Sequence, residues 1–246
     1  MAWKRLFVSK VFTSASMMRS RHIVTISDFI KRDIIKNFKK ISPSKIQTIK
    51  CGVPQRWEIP SDYNPDNRGQ YLLFVGNLEP RKNLLNLIKA LELIKSRYNK
   101  DIPLHVVGQY GWKYQSTNDY IQRSIVQKNI SFKGFLSETE LQKEYLNCKA
   151  FLFPSIYEGF GIPVIEALKL DNIVLTSKGT VMQEIAGDAA LYFDPHNPDS
   201  ISEQVLKVYD PGFNRDCILK NKENLLCRLT WENAARKLLE LMESIS

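Results

Sequence analysis

Long apolar runs are missing from this chain. No window approaches about eighteen uninterrupted apolar residues, the length a helix needs to cross a membrane. Cysteine is sparse: Cys51, Cys148, Cys217 and Cys227 show no C-x2-C spacing, which speaks against zinc ribbons and paired redox cysteines. Reduced thiols in a cytoplasmic protein are the plain reading of such a set. Histidine occurs only as His22, His105 and His196, and none is placed with a cysteine as a metal site needs. No D-x-D occurs, so there is no obvious carboxylate clamp for a metal ion, and no metal or other cofactor is expected. Zinc fingers, a helix-turn-helix and RNA-binding aromatic signatures are also missing, so nucleic acid is not an expected partner.

Acid is nearly absent from the first quarter. Residues 1 to 57 carry thirteen Lys and Arg against Asp28 and Asp33. The remainder is close to balanced, so the net charge of +9 lies at the front. Such a stretch suits an anionic partner, a phospholipid surface or a lipid diphosphate, or else is a solvated face. Residues 1 to 21 mix Trp3, Leu6, Phe7, Val11 and Phe12 with Lys4, Arg5 and Lys10 at roughly helical spacing. That amphipathic segment reads as a presequence, a membrane-surface helix or the helix preceding the first strand. The third reading fits the pattern of the next thirty residues: a strand over 21–27, a helix over 28–38 capped by Ser27 or Asp28, and a strand over 46–50.

Residues 55–70 are polar, contain Pro60, Pro65 and Gly69, and read as a linker between domains at 1–54 and 71–246. A strand-helix alternation then begins. Strands are expected over 71–75, 103–107, 130–133, 150–153, 173–176 and 190–193. Helices are expected over 82–98, 116–127, 138–148, 163 onward, 181–186 and from about 199 to 244. Leu84, Leu87, Ile88, Leu91 and Ile94 give the helix from 82 one apolar face. Ser137 to Glu140 form a capping box. This alternation predicts an α/β fold, a parallel doubly wound sheet that binds its ligand beyond the carboxyl ends of the strands. Gly76, Gly108, Gly134 and Gly159 fall at those ends.

The densest chemistry lies in A-F-L-F-P-S-I-Y-E-G-F-G-I-P-V-I-E-A-L, residues 150–168. A buried strand ends at Pro154, a loop carries Glu158, Gly159, Phe160 and Gly161, and Pro163 suits the first turn of a helix. A helix N-terminus favours an anion. Glu158 and Glu166, with seven residues between them, can accept hydrogen bonds from hydroxyls. A ligand with phosphate at its centre and hydroxyl-rich ends satisfies both, and a nucleotide-sugar is such a ligand. Gly76-Asn77-Leu78-Glu79-Pro80-Arg81-Lys82-Asn83 puts two cations suited to a phosphate on the same rim.

P-S-I-Y-E-G-F-G-I-P-V-I-E-A resembles the E-x7-E signature of the retaining GT-B glycosyltransferases of family 4, in the branch that includes many mannosyltransferases. The Gly76–Asn83 stretch resembles that family's F-V-G-x-L-x-P-R-K-N. G-T-V-M-Q-E-I-A-G-D-A-A-L-Y-F-D-P resembles its segment ending in G-D-A-A-x-x-V-D-P, with Met182-Gln183 where Leu-Pro is usual. Asp171-Asn172-Ile173 likewise replaces a common Gly-x-Pro. The resemblance covers most of residues 21 to 245. It implies Glu158 on the donor sugar, Glu166 on the ribose, and Arg81 and Lys82 on the diphosphate, without a metal. Gly76, Asn77, Gly134, Phe135, Gly159, Phe160 and Gly161 line the donor site on this reading.

The resemblance also implies a Rossmann-like donor domain at 71–246 and only a truncated remnant of a second Rossmann-like domain at 1–54. The expected activity is transfer of a hexose, mannose among the candidates, from a nucleotide-diphosphate sugar to a glycan or lipid-linked acceptor with retention. Peripheral contact with an anionic membrane at its inner face would go with that. A non-catalytic nucleotide-sugar-binding subunit that needs a separate acceptor-domain chain, or an inactive gene fragment, are the alternatives.

Overall fold

A computed structural model describes residues 2–53 and 57–244, with residues 2–10 and Asp66 described in backbone only. Pro54, the expected linker residues Gln55 and Arg56, and the side chains of Trp3, Lys4, Arg5, Leu6, Phe7 and Lys10 lie outside the described set. The chain forms two compact units. One comprises the residues up to Gly52 and those from Leu229 on, and the other is Val53–Arg228. Among the described residues no helix is long and apolar enough to cross a membrane.

In the smaller unit, helix α1 (Ala2–Arg19) precedes strand β1 (Ile23–Thr25), helix α2 (Asp28–Asn37) and strand β2 (Ile46–Thr48). Ser27 caps α2 by accepting from the Ile30 N–H at 3.2 Å. The strands pair in parallel from Ile23↔Ile46 to Thr25↔Thr48. They are shorter than the expected 21–27 and 46–50 because three paired residues exhaust the ladder. Met17, Ile41 and Ile46 form the buried centre, with Ile23, Ile34, Ile35 and Phe38 against it.

The larger unit holds a six-stranded sheet in the order β5-β4-β3-β6-β7-β8, with every neighbouring pair parallel. The strands are β3 (Leu72–Val75), β4 (Leu104–Val107), β5 (Ile130–Gly134), β6 (Ala150–Phe153), β7 (Val174–Ser177) and β8 (Ala190–Phe193). Continuous apolar strands such as Ala150–Phe153, all four residues buried, are what a sheet covered on both faces requires. The crossover helices are α3 (Leu84–Tyr98), α4 (Gln115–Ile121), α5 (Glu138–Asn147), α6 (Ile162–Lys169) and α7 (Val181–Ala186). Beyond β8 come α8 (Pro198–Val208), α9 (Asp216–Leu219) and α10 (Lys222–Leu226). The smaller unit closes with α11 (Trp231–Glu243), whose Trp231 presses so close to Gly52 that a Cβ there would sit 2.3 Å from the Trp231 nitrogen.

The stretch expected to be helical from about 199 to 244 is broken into α8, α9, α10 and α11, and two further helices differ from the expected spans. Helix α3 begins at Leu84, because Pro80–Lys82 forms a 3-10 turn and Asn83 takes a left-handed φ of 61° that an α-helix cannot include. Helix α4 ends at Ile121, after which the chain turns to bury Val126. The capping box at Ser137 and Glu140 forms in both directions.

The strand order fixes where a ligand can sit. The chain runs outward from β3 through β4 to β5, then returns to place β6 on the other side of β3. The loops after β3 and β6 therefore diverge and leave a crevice, the topological switch point. Close approach of backbones there demands glycine. A Cβ on Gly108, at φ 146°, would lie 2.1 Å from the carbonyl oxygen of Gly76.

Candidate active site

The loops after β3 and β6 are sewn together by backbone and amide bonds. The Ile156 N–H donates to the Arg81 carbonyl at 2.8 Å. Asn83 Nδ2 donates to the carbonyls of Pro154 at 3.1 Å and Pro195 at 2.7 Å. Its left-handed backbone aims the side chain there, and Asn tolerates that conformation better than most residues. Arg81 and Lys82 thereby meet Glu158, although 76 positions separate the nearer two in the chain.

Glu158 Oε1 gathers three donors. Arg81 Nη1 lies at 2.6 Å, Lys82 Nζ at 2.8 Å and Ser155 Oγ at 2.7 Å. Oε2 takes none of these bonds. Arg81 is held from the other side by Glu79 Oε2 at 2.9 Å. Lys82 is buried, with its ammonium 4.6 Å from the centre of the Phe153 ring. Gly76 makes room for it: a Cβ at that position would come within 3.2 Å of Lys82 Cε. Ser155, Glu79 and Asn83 are parts of this cluster that the sequence pattern did not single out. Ser155 stands three residues before Glu158, a spacing that could have marked it.

Burial alone would push the Glu158 carboxyl up. The hydrogen bond and charge of Lys82, the Ser155 hydroxyl and the charge of Arg81 outweigh it and hold the group below its ordinary value. Arg81, opposed by its own desolvation, is held above its ordinary value by Glu158 and Glu79. A carboxyl with a depressed folded pKa stabilises the fold above its unfolded pKa and loses that contribution as pH falls through the folded one. Stability of the larger unit is therefore expected to decline as pH drops below about 4.5, the ordinary value. Glu158→Gln should flatten that decline in thermal melts. A variant whose acid limb matched the parent would show that the cluster does not govern it.

Glu166 stands on a different element from this cluster. It is buried on α6, and the Tyr145 hydroxyl donates to its Oε2 at 3.3 Å. Helix α6 starts after Gly161, whose φ of 102° and contact with Met182 leave no space for a side chain: a Cβ would lie 2.7 Å from the Met182 sulfur. Met182, the departure from the usual Leu, thus backs the glycine loop. Phe160 is buried, so only its backbone could meet a ligand, whereas Asn77 is exposed to a greater degree. Gly134 and Phe135 line an open groove of about 630 Å³ at the ends of β3, β4 and β5, with Leu78, Gly108 and Lys133. Phe135 is 78% exposed. Among the described residues no group of three or more His, Cys, Asp and Glu side chains is placed to hold a metal ion.

A switch-point crevice carrying Arg, Lys and a carboxylate has the charges to meet a phosphate and a hydroxyl. Residues 55–225 match the family described as glycosyl transferases group 1. The chain belongs to this family. Group 1 relatives include O-antigen chain mannosyltransferase B of Escherichia coli, 28% identical over 232 residues, covering 89% of this chain and 59% of that protein. O-antigen chain mannosyltransferase RfbU of Salmonella typhimurium is 30% identical over 207 residues, covering 82% of this chain and 56% of that protein. The chain thus spans less than two thirds of the length of these relatives. The crystal structure of Anabaena Alr3699/HepE in complex with UDP and glucose shares the fold, with a TM-score of 0.79 at 16% identity over 96% of this chain and 66% of that one.

Proposed function

We propose that this group 1 member binds a nucleotide-diphosphate sugar and transfers its hexose, mannose in the first instance, to a hydroxyl of a glycan or lipid-linked acceptor with retention. The observation that carries the reading is the cluster of Arg81, Lys82 and Glu158 at the switch point. Two cations in a partly desolvated crevice can neutralise a departing diphosphate, which is electrostatic transition-state stabilisation. Oε2 of Glu158 accepts from a donor sugar hydroxyl, and Glu166, further along α6, accepts from the ribose. Gly76, Asn77, Gly134, Phe135 and the Gly159–Gly161 backbone complete the donor surface. In the transfer the bond from the anomeric carbon to the diphosphate oxygen breaks as the acceptor oxygen bonds to the same face. The acceptor proton passes to the diphosphate.

The mannosyltransferase names of the curated relatives support mannose, and their O-antigen description supports a glycan acceptor. The UDP in the structural neighbour supports a nucleoside diphosphate. The basic residues of the first quarter would meet an anionic membrane from the cytoplasmic side, and a separate acceptor-domain chain is the other partner this reading admits. The domain division at 1–54, 55–70 and 71–246, with the final helix packing back on residues 1–54, belongs to the same proposal.

The two carboxylates separate the reading into testable halves. Glu166→Ala should weaken a plain nucleoside diphosphate by roughly tenfold or more, the loss of one charged hydrogen bond. Glu158→Ala should weaken chiefly the intact nucleotide-sugar. Calorimetry with UDP, GDP and their hexose derivatives reads both. Equal losses for the plain diphosphate in the two variants would show the roles to be misassigned.

A further inference from the structure

Tyr145 is fully buried on α5, so it cannot itself meet a ligand. The structure fixes it firmly. Its carbonyl accepts from Arg68 Nη1 at 3.1 Å. Its ring packs against those of Trp57 and Phe151, with centres 5.3 Å away in each case. Trp57 is also buried, and it comes from the stretch whose composition reads as a linker. Phe151 in turn stacks on Phe153 with centres 5.8 Å apart, and Phe153 is the ring against Lys82. One aromatic column thus runs from the expected linker to the buried cation of the Arg81–Lys82–Glu158 cluster.

A phenylalanine would fill that column as well. The hydroxyl is what needs a reason, because a buried one costs stability unless it is bonded. Its acceptors both lie on α6: Glu166 Oε2 at 3.3 Å and the Pro163 carbonyl at 3.4 Å. Both bonds are long for a hydroxyl donor, so the one proton is shared between them. The carboxylate is the stronger claimant, since a bond to a charged acceptor gains more than one to a carbonyl. Burial, and after it the charge of Glu166, push the ionisation of this phenol well above its ordinary value. Tyr145 therefore keeps its proton and remains a donor.

Glu166 is only 7% exposed, so the way its carboxylate is turned decides what it can reach. A carboxylate offers about four lone-pair directions. A bond from Tyr145 occupies one of them and fixes the turn of the group, while other directions stay open to a ligand hydroxyl. Such orientation by a buried neighbour matters most where a ligand must be held to a fraction of an ångström.

We propose that Tyr145 is a positioning residue for ribose recognition: its hydroxyl holds Oε2 of Glu166 so that the carboxylate presents its remaining acceptor directions to the ribose hydroxyls. This rests on the assignment of Glu166 to the ribose. The aromatic column adds stiffness. Because the same packed rings seat Tyr145 and Lys82, the separation between the ribose acceptor and the buried cation is set by one packed body.

The test titrates the full chain, Tyr145→Phe, Glu166→Gln and the double variant by calorimetry, with melts alongside. The ligands are UDP and GDP and the 2′-deoxy and 3′-deoxy forms of each. The parent should favour the ribose form over at least one deoxy form by roughly tenfold, the scale of a charged hydrogen bond. Glu166→Gln should lose most of that preference. Tyr145→Phe should cut it several-fold by weakening the ribose form, while affinity for the deoxy form stays within about twofold, inside the usual additivity error. A merely structural tyrosine would weaken both forms alike or neither. In the Glu166→Gln background Tyr145→Phe should change the preference no further, because the two act as one unit. Full preference in a folded Tyr145→Phe overturns the proposal, and its loss in Glu166→Gln alone leaves the ribose assignment standing. A phenylalanine variant that fails to fold overturns it too, since the hydroxyl would then belong to the core. A parent that does not distinguish ribose from deoxyribose overturns the Glu166 assignment and this proposal together.

Discussion

Nucleoside diphosphate affinity is expected to fall at least roughly a hundredfold when Arg81 and Lys82 are both replaced, at about 1.5–3 kcal/mol for each charge-assisted bond. The two cations contribute differently. Arg81 is partly exposed and offers a planar fork, so it can release Glu158 and grip two phosphate oxygens at once. Lys82 is buried against Phe153, so it stays where it is and acts as a point charge. Losing both also unmasks Glu158, whose negative charge would then face the incoming diphosphate with Ser155 as its remaining side-chain partner among the described residues. The loss should therefore exceed the sum of two neutral hydrogen bonds. Lys82→Met with Arg81→Ala is the cleaner pair, because methionine keeps the packing over the Phe153 ring. Calorimetry with UDP and GDP is the measurement, with melts run alongside to show that the variant is folded. Unchanged affinity in a folded double variant would remove the diphosphate from this crevice. A loss confined to Arg81 would instead make Lys82 a structural counter-ion of Glu158.

Most of the sheet was legible in the chain because four of its six strands are short runs closed by glycine or proline. Leu72–Val75 ends at Gly76, Leu104–Val107 at Gly108, and Ala150–Phe153 at Pro154. Burial on both faces removes the polar alternation that would blur such strands. The cluster of Arg81, Lys82 and Glu158 was legible for a related reason: the topology forces the ends of β3 and β6 together at the switch point. What stayed hidden depends on distances that no local pattern encodes. Ser155 looks like an ordinary loop serine until its hydroxyl lands 2.7 Å from Glu158. Tyr145 reads as one more core aromatic, since sequence does not say which group its hydroxyl meets. The left-handed Asn83 ended one helix turn that periodicity had extended to Lys82. Arg68 was hidden most completely, inside a stretch whose prolines and polar residues read as a linker.

Replacing Arg68 by methionine is expected to destabilise the larger unit by about 3–5 kcal/mol, the scale of leaving several buried carbonyls without a donor at about 1–3 kcal/mol each. Arg68 is buried, and its guanidinium reaches five acceptors, none of them a carboxylate. Nη1 donates to the carbonyls of Tyr145 at 3.1 Å and Cys148 at 3.2 Å and to Asn172 Oδ1 at 2.9 Å. Nη2 donates to the carbonyls of Leu170 at 2.9 Å and Asp171 at 3.1 Å. These carbonyls close α5 and α6, whose last turns carry unsatisfied oxygens and the negative end of the helix dipole. One cation therefore caps two helices, and the second of them begins at the glycine loop of the candidate site. Its Nε finds no acceptor among the described residues, which subtracts from the gain. Methionine fills much of the volume but leaves all five acceptors without this donor. Lysine keeps the charge yet offers only three donors from one point, so it should recover part of the loss and no more. A drop of roughly 10 °C in the melting temperature is the expected reading for a unit of this size. A methionine variant that melts within about 2 °C of the parent would mean that solvent or a shifted side chain satisfies those carbonyls. In that case the two helix ends would be held by packing alone, through Tyr145, Cys148 and Leu170, which are buried without help from the charge.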